Sequence, residues 1–104
     1  MEFKNATITK QANIYFDGKV TSRALLCEDG SKITLGIMLP GTYKFNTNEY
    51  EIMEVINGKA LVKLENQEEF IEYKKGTKFE IEANSSFDIE VLETLDYQCS
   101  YLNI

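Results

Sequence analysis

A chain of 104 residues, 43% hydrophobic and 27% charged, has the make-up of one globular domain, long enough for a single core and too short for two. Its 17 acidic against 11 basic residues leave a net charge of −6, which repels a phosphate backbone and argues against nucleic-acid binding. It has no histidine, so a histidine-dependent metal site and a Ser-His-Asp triad are both excluded.

Residues 1–12 have weak periodicity and read as an arm or edge strand ahead of an all-β barrel or sandwich domain over residues 13–104. They lack the apolar core of a secretory signal, and no apolar run approaches the ~20 residues of a spanning helix, so a cytoplasmic protein without membrane contact is expected. Ile14-Tyr15-Phe16 meets the turn dipeptide Asp17-Gly18, and Lys19 to Cys27 follows as a strand. Asp29-Gly30 then joins it to Lys32 to Leu39 as a hairpin, which Pro40 ends because it has no ladder donor. Cys27 and Cys99 both lie in strand-like stretches and are expected as reduced thiols.

Gly41 to Gly58 is the stretch around which the other strands are expected to gather. Its second part, Tyr50 to Ile56, is a strand, Asn57-Gly58 suits a type I′ turn, and Lys59 to Leu64 is the returning strand. Tyr50, Ile52 and Ile56 lie on one side of it and Met53 and Val55 on the other, so alternation does not decide which face is buried. Glu51 is accordingly either a solvated strand carboxylate or a polar group inside a small barrel or sandwich.

Asn66-Gln67 marks an exposed turn before Phe70 to Tyr73, and Lys74-Lys75-Gly76 a bend before Lys78 to Glu82. Phe79 and Ile81 alternate inward there, as do Phe87, Ile89 and Val91 after the polar bend Ala83 to Ser86. A last strand puts Tyr97, Cys99 and Tyr101 on one face, where core packing is the plain reading. No stretch has a sustained helical period, so the fold class is all-β, with little or no helix.

Two spacings resemble the paired motifs of the cupin barrels: Glu51 followed by six residues and Gly58, and Gly76 followed by five residues and Glu82-Ala83-Asn84. The upstream positions of the first motif hold Phe45, Asn46 and Thr47, and Asn84 and Phe87 stand in the second, so the pattern resembles a cupin that holds no metal. Six runs match more closely: Tyr15 to Val20, Gly36-Ile37-Met38, Pro40 to Phe45, Glu51 to Gly58, Ala83 to Phe87 and Tyr97 to Tyr101. Together they resemble the small pyrimidine/purine nucleoside phosphorylase family, formerly a domain of unknown function. Glu82, where that family usually has proline, and the residues before Asn13 are the departures.

The resemblance implies a single small cupin-type β-barrel of jelly-roll form, and phosphorolysis of purine and pyrimidine ribonucleosides to free base and α-D-ribose 1-phosphate. It implies inorganic phosphate as co-substrate, no metal and no organic cofactor, and broad choice of base. Glu51 is then the catalytic carboxylate that stabilises charge developing at the sugar. Asn84, Ser85 and Ser86 would form a neutral nest for phosphate, and Tyr43, Phe45, Tyr97 and Tyr101 a stacking platform for the base. Lys19 and Arg23 are phosphate contacts by charge alone and more ordinary as solvated strand residues. The competing reading is a non-catalytic cupin that binds a small sugar or nucleoside-like ligand. Exposed strand edges or an apolar sheet face make a homodimer the expected assembly.

Overall fold

Turn chemistry sets the first strands. In the computed structural model, which describes residues 2–103, Asp17-Gly18 closes a hairpin between β2 (Asn13–Tyr15) and β3 (Val20–Leu26). Phe16, Asp17 and Gly18 form a single tight 3-10 turn with φ of 52°, 56° and 89°. Asp29-Gly30 closes the next hairpin, to β4 (Lys32–Met38), and Asp29 Oδ1 accepts hydrogen bonds from the Ser31 N–H and hydroxyl. Ahead of them β1 (Thr7–Ile8) pairs with β3 along its edge.

The chain continues through β5 (Gly41–Asn46), β6 (Tyr50–Leu64), β7 (Ile71–Lys74), β8 (Lys78–Ile81) and β9 (Ser86–Leu102). β9 is the spine. Its first part pairs with β5, Phe87 facing Phe45, while its second part pairs with β4, Tyr97 facing Gly36. β6 runs antiparallel beside β9 along nearly its whole length. Two bent strands thus pass through both layers, and the remaining strands hang on them.

The sheet path is β1-β3-β4-β9-β6-β7, with β2, β5 and β8 paired at its sides, so the sheet folds over on itself and does not close into a ring. The molecule is all-β, as the strand spacing predicts, and has the jelly-roll form that the resemblance implies. Its core fills the space between the layers with alternate residues of the strands: Met53, Val55 and Val62 from β6, Phe79 and Ile81 from β8, and Phe87, Ile89, Val91 and Leu95 from β9. No helix among the described residues is long and apolar enough to cross a membrane. Cys27 and Cys99 are free thiols.

Two expectations are corrected. Asn57-Gly58 does not turn the chain: β6 continues through it with register shifts against β9 between Val55 and Ala60. The positive φ of Gly58, 97°, serves a bulge, and a Cβ there would lie 2.3 Å from the Thr94 carbonyl oxygen. Likewise Phe87 to Val91 and Tyr97 to Tyr101 are halves of the single strand β9. β6 also resolves which of its faces is buried, for Met53 and Val55 are in the core and Glu54 and Ile56 are exposed.

Candidate functional site

Glu51, two residues before Met53, shares its inward face, and there the core gives way to a cleft of about 290 Å³. β9 brings Tyr97, Cys99 and Tyr101 into it, the same three that alternate in the sequence. Ser22 of β3 and Thr34 of β4 enter from the far side, because β4 register pairs Gly36 with both Ser22 and Tyr97, and Thr34 with Cys99. The missing side chain of Gly36 makes room for the Tyr97 ring: a Cβ there would lie 2.6 Å from Tyr97 Oη and 2.2 Å from the Thr21 carbonyl oxygen.

The half-buried Glu51 accepts a hydrogen bond from the Cys99 thiol, with Sγ 3.4 Å from Oε1. Burial pushes the Glu51 pKa up, the thiol's hydrogen bond opposes this, and the charge of Glu49 adds to the rise. Burial likewise pushes the Cys99 thiol and the Tyr97 and Tyr101 phenols well above their ordinary values. All three therefore enter the cleft as neutral hydrogen-bond donors. Tyr101 Oη lies 3.3 Å from Thr34 Oγ1, and the Tyr97 hydroxyl donates weakly to the Thr21 carbonyl at 3.5 Å.

An apolar floor lies opposite. Phe45 lines the cleft and stacks on Phe87, with ring centroids 5.4 Å apart and planes 27° apart, leaving an aromatic surface beside Met38 and Met53. At the mouth stand Asn13, Tyr15, Asn46, Asn48 and Glu49, and Asn13 Nδ2 donates to Ser22 Oγ at 3.3 Å. A carboxylate, neutral hydroxyls, amides and an aromatic face suit a polar ring such as a sugar carrying a flat heterocycle.

Of the residues singled out in the sequence, Glu51, Phe45, Tyr97 and Tyr101 meet in this cleft. Tyr43 does not line it: the ring is buried in the core 4.9 Å from Phe16, and its hydroxyl donates to the Leu39 carbonyl at 2.6 Å. Asn84, Ser85 and Ser86 lie outside it too. Thr47 ties that bend to the strand before it, donating to the Glu82 carbonyl at 2.6 Å and accepting from the Ser85 N–H at 3.0 Å. The Ser85 hydroxyl donates to Glu65, an arrangement that puts a carboxylate where a phosphate nest was expected. Arg23 is exposed, with its Nε donating to the Lys10 carbonyl, and Lys19 is exposed as well.

Sequence reasoning passed over Asn13, Tyr15, Ser22, Thr34, Asn46, Asn48, Glu49 and Cys99 as site residues. Ser22 and Thr34 carry a usable signal, since each is a small hydroxyl residue on the inward register of its strand. Asn46, Asn48 and Glu49 carry none, because polar residues flanking a turn are ordinary.

The chain is similar to known proteins over nearly its whole length. The family model described as pyrimidine/purine nucleoside phosphorylase matches residues 10–101. A Clostridioides difficile (strain 630) protein of that name is 54% identical over 101 residues, covering 97% of this chain and 96% of that protein. The crystal structure of an Acinetobacter sp. ADP1 protein of unknown function superposes with a TM-score of 0.93 at 38% identity, covering 97% of this chain and 98% of that one. A Schizosaccharomyces pombe cupin domain superposes with a TM-score of 0.67 at 14% identity, over 91% of this chain and 70% of that one, and so shares the fold alone.

Proposed function

This chain belongs to the pyrimidine/purine nucleoside phosphorylase family and is an enzyme, and we propose that it cleaves purine and pyrimidine ribonucleosides with inorganic phosphate in the cleft around Glu51. The products are the free base and α-D-ribose 1-phosphate. One observation carries the assignment: an inward, half-buried carboxylate stands among neutral donors and faces the aromatic Phe45 surface. Glu51 accepts hydrogen bonds from the ribose hydroxyls and stabilises the positive charge that grows at the sugar carbon as the glycosidic bond breaks. The thiol of Cys99 fixes one carboxylate oxygen, leaving the other for the sugar.

The base lies against Phe45 with Tyr15 at the mouth, and a stack accepts any heterocycle because each has a π face. Broad base selectivity follows, since strong rejection needs buried polar groups that pair with one base edge only. Phosphate is held by the neutral amides and hydroxyls of the mouth. The reaction runs without a metal or organic cofactor, in the cytoplasm, in a homodimer. The test is base release from uridine, cytidine, adenosine and guanosine with and without phosphate, followed by chromatography. Phosphate-dependent release with equimolar ribose 1-phosphate is expected. Binding of these nucleosides without release would leave a ligand-binding cupin in place of this proposal.

A further inference from the structure

The fixed charges facing the cleft are of one sign. Among the described residues that line it, Glu49 and Glu51 are the only charged side chains, and neither lysine nor arginine is present. The other titratable groups there are Tyr15 from β2 and Tyr97, Cys99 and Tyr101 from β9, while β3, β4 and β5 contribute uncharged side chains only. Anion sites are ordinarily built with cations or with rows of donors. This cleft mixes donors with two strong acceptors that can give nothing to an anion.

From this juxtaposition, and on the reading of the cleft as the phosphorolysis site, we propose that it takes inorganic phosphate as the dihydrogen monoanion and discriminates against the dianion. The monoanion carries two O–H groups. Each can be donated to a carboxylate in a short, charge-assisted hydrogen bond, while its remaining oxygens accept from the amides and hydroxyls. A dianion has twice the charge to set against Glu49 and Glu51 and only one proton to offer them, and that repulsion grows as the site loses water.

Proton accounting allows this species as it allows the dianion, since each brings the one proton that the departing base needs, so the choice between them rests on the charges of Glu49 and Glu51. Phosphorolysis breaks the bond from the sugar carbon to the base nitrogen and forms one to a phosphate oxygen, and the departing nitrogen must gain a proton. With the dihydrogen anion, one proton ends on the base and one stays on the ribose 1-phosphate monoanion, so the charge entering equals the charge leaving. No histidine in the chain supplies that proton otherwise.

The experiment measures KM for total phosphate and for the nucleoside across the neutral pH range, with sulfate, a dianion of the same shape without a proton, as the competing probe. On the alkaline side, KM for total phosphate should rise by about tenfold per pH unit, as the monoanion fraction falls, with KM for nucleoside nearly flat. Sulfate should not compete with phosphate in the wild type, and Glu49→Gln should make it competitive. KM for phosphate that falls with rising pH, or sulfate that competes in the wild type, overturns the proposal and is what a cation entering from a second copy of the chain would produce. Turnover of Glu51→Gln separates the two levels. If that turnover is lost while wild-type KM for phosphate falls with pH, the site stands and the monoanion does not. If it is unchanged, both fall.

Discussion

Glu51 serves the proposed chemistry at a cost to the fold. A carboxyl whose folded pKa is raised holds its proton more tightly folded than unfolded, so stability declines as pH rises through the window between its unfolded and folded values. Above that window the penalty is fully present. Glu51→Gln removes the charge and keeps the shape, so its thermal midpoint at neutral pH should exceed that of wild type, and the gap should close on acidification. Its turnover should drop by roughly 10²-fold or more, with a much smaller change in nucleoside KM. Glu54→Gln, on the exposed face of the same strand, should keep wild-type rates. A melt series over pH and steady-state kinetics on the three proteins check both halves. Cys99 offers a finer test. Its thiol hydrogen bond lowers the Glu51 pKa, so Cys99→Ala should let that pKa climb and move the acid limb of kcat/KM to higher pH. An unmoved acid limb would show that the thiol does not act on Glu51.

At the scale of elements, the sequence was readable where alternation was clean and local. Phe79 and Ile81, then Phe87, Ile89 and Val91, then Tyr97, Cys99 and Tyr101 all point inward as their period of two requires. Asn57-Gly58 reads as a turn because a type I′ turn and a bulge both place the glycine at positive φ, although the turn would need Asn57 there too. What decides between them is the length of the partner strand, and β9 spans both halves of β6 without a break. The facing of Glu51 was ambiguous for a related reason: Ile52 and Ile56 on the outer face of β6 look as apolar as Met53 and Val55 on the inner one. The bend Asn84 to Ser86 has the composition of an anion nest, but none of its three residues lines the cleft, and Thr47 ties the bend to the segment after β5 by a contact between residues far apart in the chain. The bulge gives its own prediction. Gly58→Ala meets both a left-handed φ and the Thr94 carbonyl, whereas Gly76→Ala meets a φ of 88° with open space around it. Gly76→Ala should cost about 1 kcal/mol of backbone strain, and Gly58→Ala clearly more, roughly 2–4 kcal/mol. Equal losses in denaturant titrations would mean that β6 relaxes freely at this point.

For the whole molecule, the outer face of the sheet makes the assembly prediction. β4 presents Leu35 and Ile37 outward and β6 presents Ile52 and Ile56, on either side of Gln98 and Ser100 of β9. Ile37 and Ile56 are each 38% exposed, and the four aliphatic side chains, set among Gln98, Ser100 and the carboxylates of Glu54 and Asp96, form a mixed patch of the kind that a second copy can cover. Two copies related by a two-fold axis can bury it isologously without residues from any other protein. A homodimer at twice the 11.9 kDa chain mass is therefore expected in sedimentation at micromolar concentration. Placing a charge at both positions, as in Ile37→Glu with Ile56→Glu, should give the 11.9 kDa monomer. These side chains point away from the core, so the double variant should stay folded, and β-sheet circular dichroism checks that. Because the cleft lies on the inner face of the same strands, the folded monomer should also keep nucleoside binding. A wild type that sediments as a monomer would show that this face is tolerated in water, and the expected homodimer would be wrong.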